Sequence, residues 1–169
     1  MSTTSQHASP AQGPIVFAYD GSELAKLAID EAAHQLGPGR TSLVLTVWQP
    51  FDVGFVAAES IRFDAAQISD VKRAAEQTAA EGASRAQAAG FDTRSAAVEA
   101  TPTWKGIVTT ADEHDSSLIV LGSHGRHGFA GALIGSVAEA VAAHSRRSVL
   151  IIHRADPRDG SAARTTSHR

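Results

Sequence analysis

Four residues with the right types and spacing to hold an anion lie in one stretch of the chain. Gly122 and Gly125 are separated by two residues, and after nine intervening residues come Gly135 and Ser136. Glycines in such a loop let the backbone take positive φ and bring its N–H groups close to phosphate oxygens with no Cβ in the way. A helix opening near Ser136 would add unpaired donors and a positive dipole end. The apolar block Leu118-Ile119-Val120-Leu121 runs directly into the first glycine, so the loop falls where a buried strand ends and the chain turns toward a helix. A merely flexible connection would also use Gly122, Gly125, Gly128, Gly131 and Gly135. Strand before and helix after is the context that a phosphate cradle needs.

Two familiar phosphate loops do not fit. A Walker loop requires lysine, and none occurs between Gly122 and Ser136. A dinucleotide fingerprint requires three glycines after the first strand, where this chain has Asp20-Gly21-Ser22. The polar residues inside the loop are His124, Arg126 and His127. Arg126 has two equal readings, neutralising phosphate charge or standing solvated on an exposed loop. His124 and His127 are the sole nearby candidates for a general base, with no carboxylate in the loop to orient either, so the enzymatic reading is at most a slow ATPase. Together with His114 and Asp115 they invite a zinc reading, but spacing alone supports it weakly and no metal site is assigned. Magnesium would arrive with a nucleotide, leaning on its phosphates.

These residues need elements to hold them. Ile15 to Tyr19 reads as a first strand, followed by a helix that Ser22 caps and Gly37-Pro38-Gly39 ends. Leu43 to Trp48 is a second buried strand. Ala65 to Ala89 is a long alanine-rich helix closed by Gly90, and Phe91 to Glu99 a third strand. Trp104, Ile107, Val108 and Ala111 share one face of a helix over 103–113, preceded by Pro102. Leu118 to Leu121 is the fourth strand. Beyond the glycine loop, Val137, Ala140, Val141 and His144 line a helical face, and Ser148 to His153 forms the last strand. The alternation predicts an α/β fold with a five-stranded parallel sheet and helices on both faces. With strand order 3-2-1-4-5, the crevice where ligands bind in such sheets lies between strands one and four. Asp20 and the Gly122 loop would face each other across it.

Composition sets the outer limits. The 169 residues suit one folded domain over 14–153, with polar tails at 1–13 and 154–169 that read as disordered. Aromatics make up only 5% and alanines are many, which suggests helices packed closely on the sheet. The net charge of −3 gives no general attraction to nucleic acid or anionic membranes, and no apolar run reaches transmembrane length. Absence of cysteine excludes disulfides and thiolate chemistry and is compatible with the cytosol, as is a first stretch without a signal peptide's apolar centre. The segment from Trp48 to Phe63 concentrates Trp48, Phe51, Phe55 and Phe63 around Pro50 and Gly54. It suits either a lid beside the crevice or local packing over the sheet.

Over 14–153 the sequence resembles the universal stress protein family, small α/β domains akin to the adenine nucleotide α-hydrolases. The resemblance is carried by Gly122, Gly125, Gly135 and Ser136, which match the loop of the ATP-binding members, and by Asp20, Val47 and Pro102. It implies ATP, with its phosphates on Gly122, Gly125, Gly135, Ser136 and the Val137 amide. It places adenosine near Ala18, Asp20, Val47 and Leu121, and implies a homodimer through the final strand, Val149-Leu150-Ile151-Ile152. A carboxylate beside phosphates would repel them, so Asp20 either accepts from the adenine amino group or a ribose hydroxyl, or is a cap or turn residue of the first helix. Ser136 offers a phosphate ligand, an N-cap, or both. Val47 and Leu121 either sandwich adenine or belong to the core. The expected function is a cytoplasmic, ATP-binding, nucleotide-dependent regulator of the stress response. A cyclic-AMP-binding member, a slow ATPase and a nucleotide-free dimeric interaction protein are the alternatives.

Overall fold

The computed structural model describes residues 13–50, 65–125 and 134–154. Among the described residues nine elements alternate: β1 (Ile15–Ala18), α1 (Glu23–Leu36), β2 (Thr41–Trp48), α2 (Ala65–Ala88), β3 (Asp92–Glu99), α3 (Thr103–Glu113), β4 (Leu118–Gly122), α4 (Ser136–His144) and β5 (Ser148–Ile152). The strands form one parallel sheet in the order β3-β2-β1-β4-β5, as the alternation predicts. Phe17 pairs with Val44 on one side and Val120 on the other, so the ends of β1 and β4 meet at the point where the winding reverses.

Successive side chains of β1 point to opposite faces, and this divides the core in two. Ile15, Phe17 and Tyr19 pack with Ala25, Ala28, Ile29 and Ala32 of α1 and Ala83 and Ala86 of α2. Val16 lies on the other face with Ile107 and Ala111 of α3 and Ala138 and Val141 of α4. Small residues set the layer spacing. A Cβ at Gly82 of α2 would stand 2.7 Å from Tyr19 Cδ1, and one at Gly106 of α3 would stand 2.7 Å from Ala100 Cβ. The helices therefore lie close on the sheet, as the alanine-rich composition suggests.

The ends of α1 follow its sequence signals. Ser22 Oγ accepts from the Ala25 amide at 3.2 Å, and Gly37 ends the helix at φ 73°, where its N–H reaches Ala33 O. Pro102 is the N-cap of α3, whose bounds are those the sequence predicts. Other bounds move slightly: β1 stops at Ala18, β2 begins at Thr41, α2 ends at Ala88, β3 begins at Asp92, β4 runs to Gly122 and β5 ends at Ile152. The Tyr19 amide still bonds Leu45 O at 2.9 Å, so the ladder continues one bond past β1.

One helix face departs from expectation. On α4 the buried residues are Ala138 and Val141, whereas Val137 is exposed. His144 is exposed as well, its ring stacked on Trp104 of α3 at 4.3 Å and 24°. At the opposite end of the sheet from the glycine loop, Arg147 ties β5 to the end of α3. Its Nε donates to Asp112 Oδ1 at 2.8 Å, and its terminal nitrogens donate to Ser116 O and Asp115 Oδ1. Gly13 also belongs to this end, its carbonyl accepting from Ser117 Oγ at 2.7 Å. Most of the tails, and 51–64 with the aromatic segment after Pro50, lie outside the described residues.

Candidate functional site

The site is assembled where β1 and β4 end. β1 passes into Tyr19 and Asp20, and Gly21 makes the turn into α1 at φ 80°. Asp20 Oδ1 accepts from the Ser22 amide at 3.0 Å, which fixes the carboxylate at the mouth of the turn. Asp20 is thus a turn residue and Ser22 the cap. Tyr19 is buried beneath, its hydroxyl donating to Glu81 Oε1 at 3.2 Å. Burial first, and then the Glu81 carboxylate, push its pKa up to about 12.

Across the crevice, β4 ends in Gly122-Ser123-His124-Gly125. Ser123 is bonded in three directions. Its amide donates to Ile152 O of β5 at 2.8 Å, its carbonyl accepts from the Gly135 amide at 2.7 Å, and its hydroxyl lies 3.0 Å from His124 Nδ1. The bond to Gly135 clasps the two ends of the loop together, although they are separated in sequence. It brings the first turn of α4, with amides that have no intrahelical acceptor, beside Gly122 to Gly125.

Each motif glycine is needed for a close approach. A Cβ at Gly122 would lie 2.8 Å from Leu24 Cβ and 3.0 Å from the Leu24 carbonyl carbon. One at Gly125 would lie 2.6 Å from Asp20 Oδ2, and one at Gly135 2.9 Å from Ser123 O. The contact at Gly125 brings Asp20 and the glycine loop together, as the strand order requires. Positive φ is not what these glycines supply: among the described glycines it occurs at Gly21, Gly37, Gly39 and Gly90. Gly135 has φ −67° and ψ 153° and is itself the N-cap of α4. Ser136 is therefore the first helical residue and not the cap; it is exposed, like Val137.

The remaining candidates sit on the α3/α4 side of the sheet. Leu121 is buried, while Ala18 and Val47 are half-buried against the same cluster, Val47 facing Gly106. Arg126 and His127 lie outside the described residues. Of the grouping considered for zinc, the described members are not brought together: His114 and Asp115 precede β4 and His124 follows it. Among the described residues no three His, Cys, Asp or Glu side chains are placed to hold a metal ion. Sequence reasoning passed over Ser123, whose importance lies in bonds to β5 and α4 that only the folded chain brings within reach.

Fold and site define a doubly wound parallel α/β domain with a glycine-clasped loop at its switch point. The chain belongs to the universal stress protein family, whose model matches residues 13–153. It is similar to two proteins of Mycobacterium tuberculosis. It shares 30% identity with universal stress protein Rv2623 over 149 residues, covering 84% of this chain and 46% of that protein. It shares 28% with universal stress protein Rv1636 over 144 residues, covering 82% and 94%. The chain thus spans about half the length of Rv2623 and nearly all of Rv1636. Among solved structures, a universal stress protein in complex with cAMP is 30% identical, with a TM-score of 0.55 over 85% of this chain and 98% of the other.

Proposed function

We propose that this chain binds an adenine nucleotide in the crevice between β1 and β4 and acts as a nucleotide-dependent regulator of the stress response. The observation that carries the reading is the clasped loop. The Ser123–Gly135 bond sets the α4 amides beside Gly122 and Gly125, with Asp20 opposite. Phosphates would be held by Gly122, Gly125, Gly135, Ser136 and the Val137 amide, with Arg126 as a further cation. Adenosine would lie toward Ala18, Asp20, Val47 and Leu121. The tight approach at Gly125 and Gly135 leaves no room for a side chain and, with the Gly135 N–H spent on Ser123 O, the donors turned toward an anion are the amides of the first turn of α4. ATP is the proposed ligand, bringing Mg2+ on its phosphates, in a cytoplasmic homodimer paired through β5. The proposed unit is the domain 14–153 between tails.

Cyclic AMP is the second reading, favoured by the 30%-identical relative solved with that ligand. Calorimetric titration of the nucleotide-stripped protein with magnesium-ATP, with cyclic AMP as competitor, separates the two. Saturable ATP binding near one per chain is the expected result. Cyclic AMP binding without ATP binding would replace the first reading with the second, and binding of neither would overturn both.

A further inference from the structure

His124 is in the loop but outside the glycine pattern, and its setting is specific. Ser123 is 2% exposed, and among the described residues its hydroxyl has one partner, His124 Nδ1 at 3.0 Å. A buried hydroxyl proton left without an acceptor is costly, so Ser123 donates and Nδ1 accepts. That assigns the imidazole proton to Nε2. The ring's orientation gives this a consequence. Nδ1 faces Ser123, and the other edge, at Cδ2, lies 3.7 Å from where a Cβ on Gly135 would stand. The Cδ2 side of the ring therefore lies beside Gly135, the N-cap of α4, and the residue is only half-buried.

Resting on the nucleotide reading above, we propose that His124 is a phosphate ligand of this site, presented in its Nε2–H form by Ser123 as positioning residue. The imidazole adds a side-chain donor to the α4 amides. The site then grades its ligands by phosphate as well as by base: ATP gains from His124, and adenosine, which has no phosphate, does not.

The test is calorimetry on the full, nucleotide-stripped chain with adenosine and with magnesium-ATP. H124A is expected to weaken ATP binding about tenfold or more, the usual loss for a hydrogen bond to a charged acceptor, while adenosine affinity stays within about twofold. H124Q carries its amide nitrogen near the position of Nε2 and should recover most of the loss. H124N, with the shorter side chain, should not. S123A should weaken ATP binding less than H124A. It should also convert the single Nε2–H imidazole signature in nitrogen-15 spectra into a mixture of tautomers. ATP affinity unchanged in H124A, with the unaltered protein binding normally, would overturn the role of His124 and leave nucleotide binding intact. Equal losses for adenosine and ATP would mark a merely structural residue and also overturn it. An unaltered protein that binds neither ligand would remove both readings together.

Discussion

At the scale of single residues, the motif glycines have different neighbours and therefore different expected consequences when replaced. At Gly122 an added methyl meets the Cβ and backbone of Leu24, which cannot move without shifting α1. At Gly125 it meets one carboxylate oxygen of Asp20, the end of a side chain and not backbone. Gly122→Ala is thus expected to cost about 1–3 kcal/mol of stability, as overpacking does. Gly125→Ala should cost less than about 1 kcal/mol yet weaken nucleotide binding about tenfold, because Asp20 and a phosphate donor are displaced together. Urea midpoints and calorimetry on both variants check the contrast. Equal stability losses would mean that Asp20 is held as rigidly as the α1 backbone.

At the scale of elements, the helices give up intrinsic propensity for closeness. Gly82 sits inside α2, where alanine would favour the helix by about 1 kcal/mol. Its Cβ would nevertheless stand 2.7 Å from Tyr19 Cδ1 and 2.8 Å from Val44 Cγ1, both in buried side chains. Overpacking of about 1–3 kcal/mol outweighs the propensity gain, so Gly82→Ala should lower the urea midpoint. A raised midpoint would show that α2 can ride off the sheet at little cost. The same elements show what was legible in sequence. The bounds of α3 could be read because Pro102 precedes an unbroken i, i+3, i+4, i+7 apolar face. The face of α4 could not, because Val137 and Ala138 are neighbours and either register gives an apolar stripe; the fold buries Ala138 and Val141. Asp20 and the loop were placed opposite each other by strand order alone. The clasp was invisible because Ser123, His124 and Gly135 acquire their roles through space, and because a glycine in sequence does not say whether it serves positive φ or close approach.

At the scale of the whole molecule, the two edges of the sheet differ in a way that bears on assembly. β3, at one edge, exposes Asp92, Arg94 and Glu99, charges that discourage another strand from pairing there. β5, at the other, reads Ser148-Val149-Leu150-Ile151-Ile152, with no charge and no proline. Its central residues are half-buried, so the strand presents backbone groups beside apolar side chains, a ready template for a second copy. The Ser123 amide bonds Ile152 O, which ties the end of that strand to the glycine loop itself. Pairing through β5 would therefore hold one wall of the site as well as the edge. Light scattering at micromolar concentration is expected to give twice the 17.6 kDa chain mass. Amide exchange over 149–152 should quicken as the protein is diluted toward monomer, since the outer backbone groups of β5 would then return to water. A clean monomer mass, with exchange in β5 independent of concentration, would rule out this pairing and leave β5 as an unprotected edge.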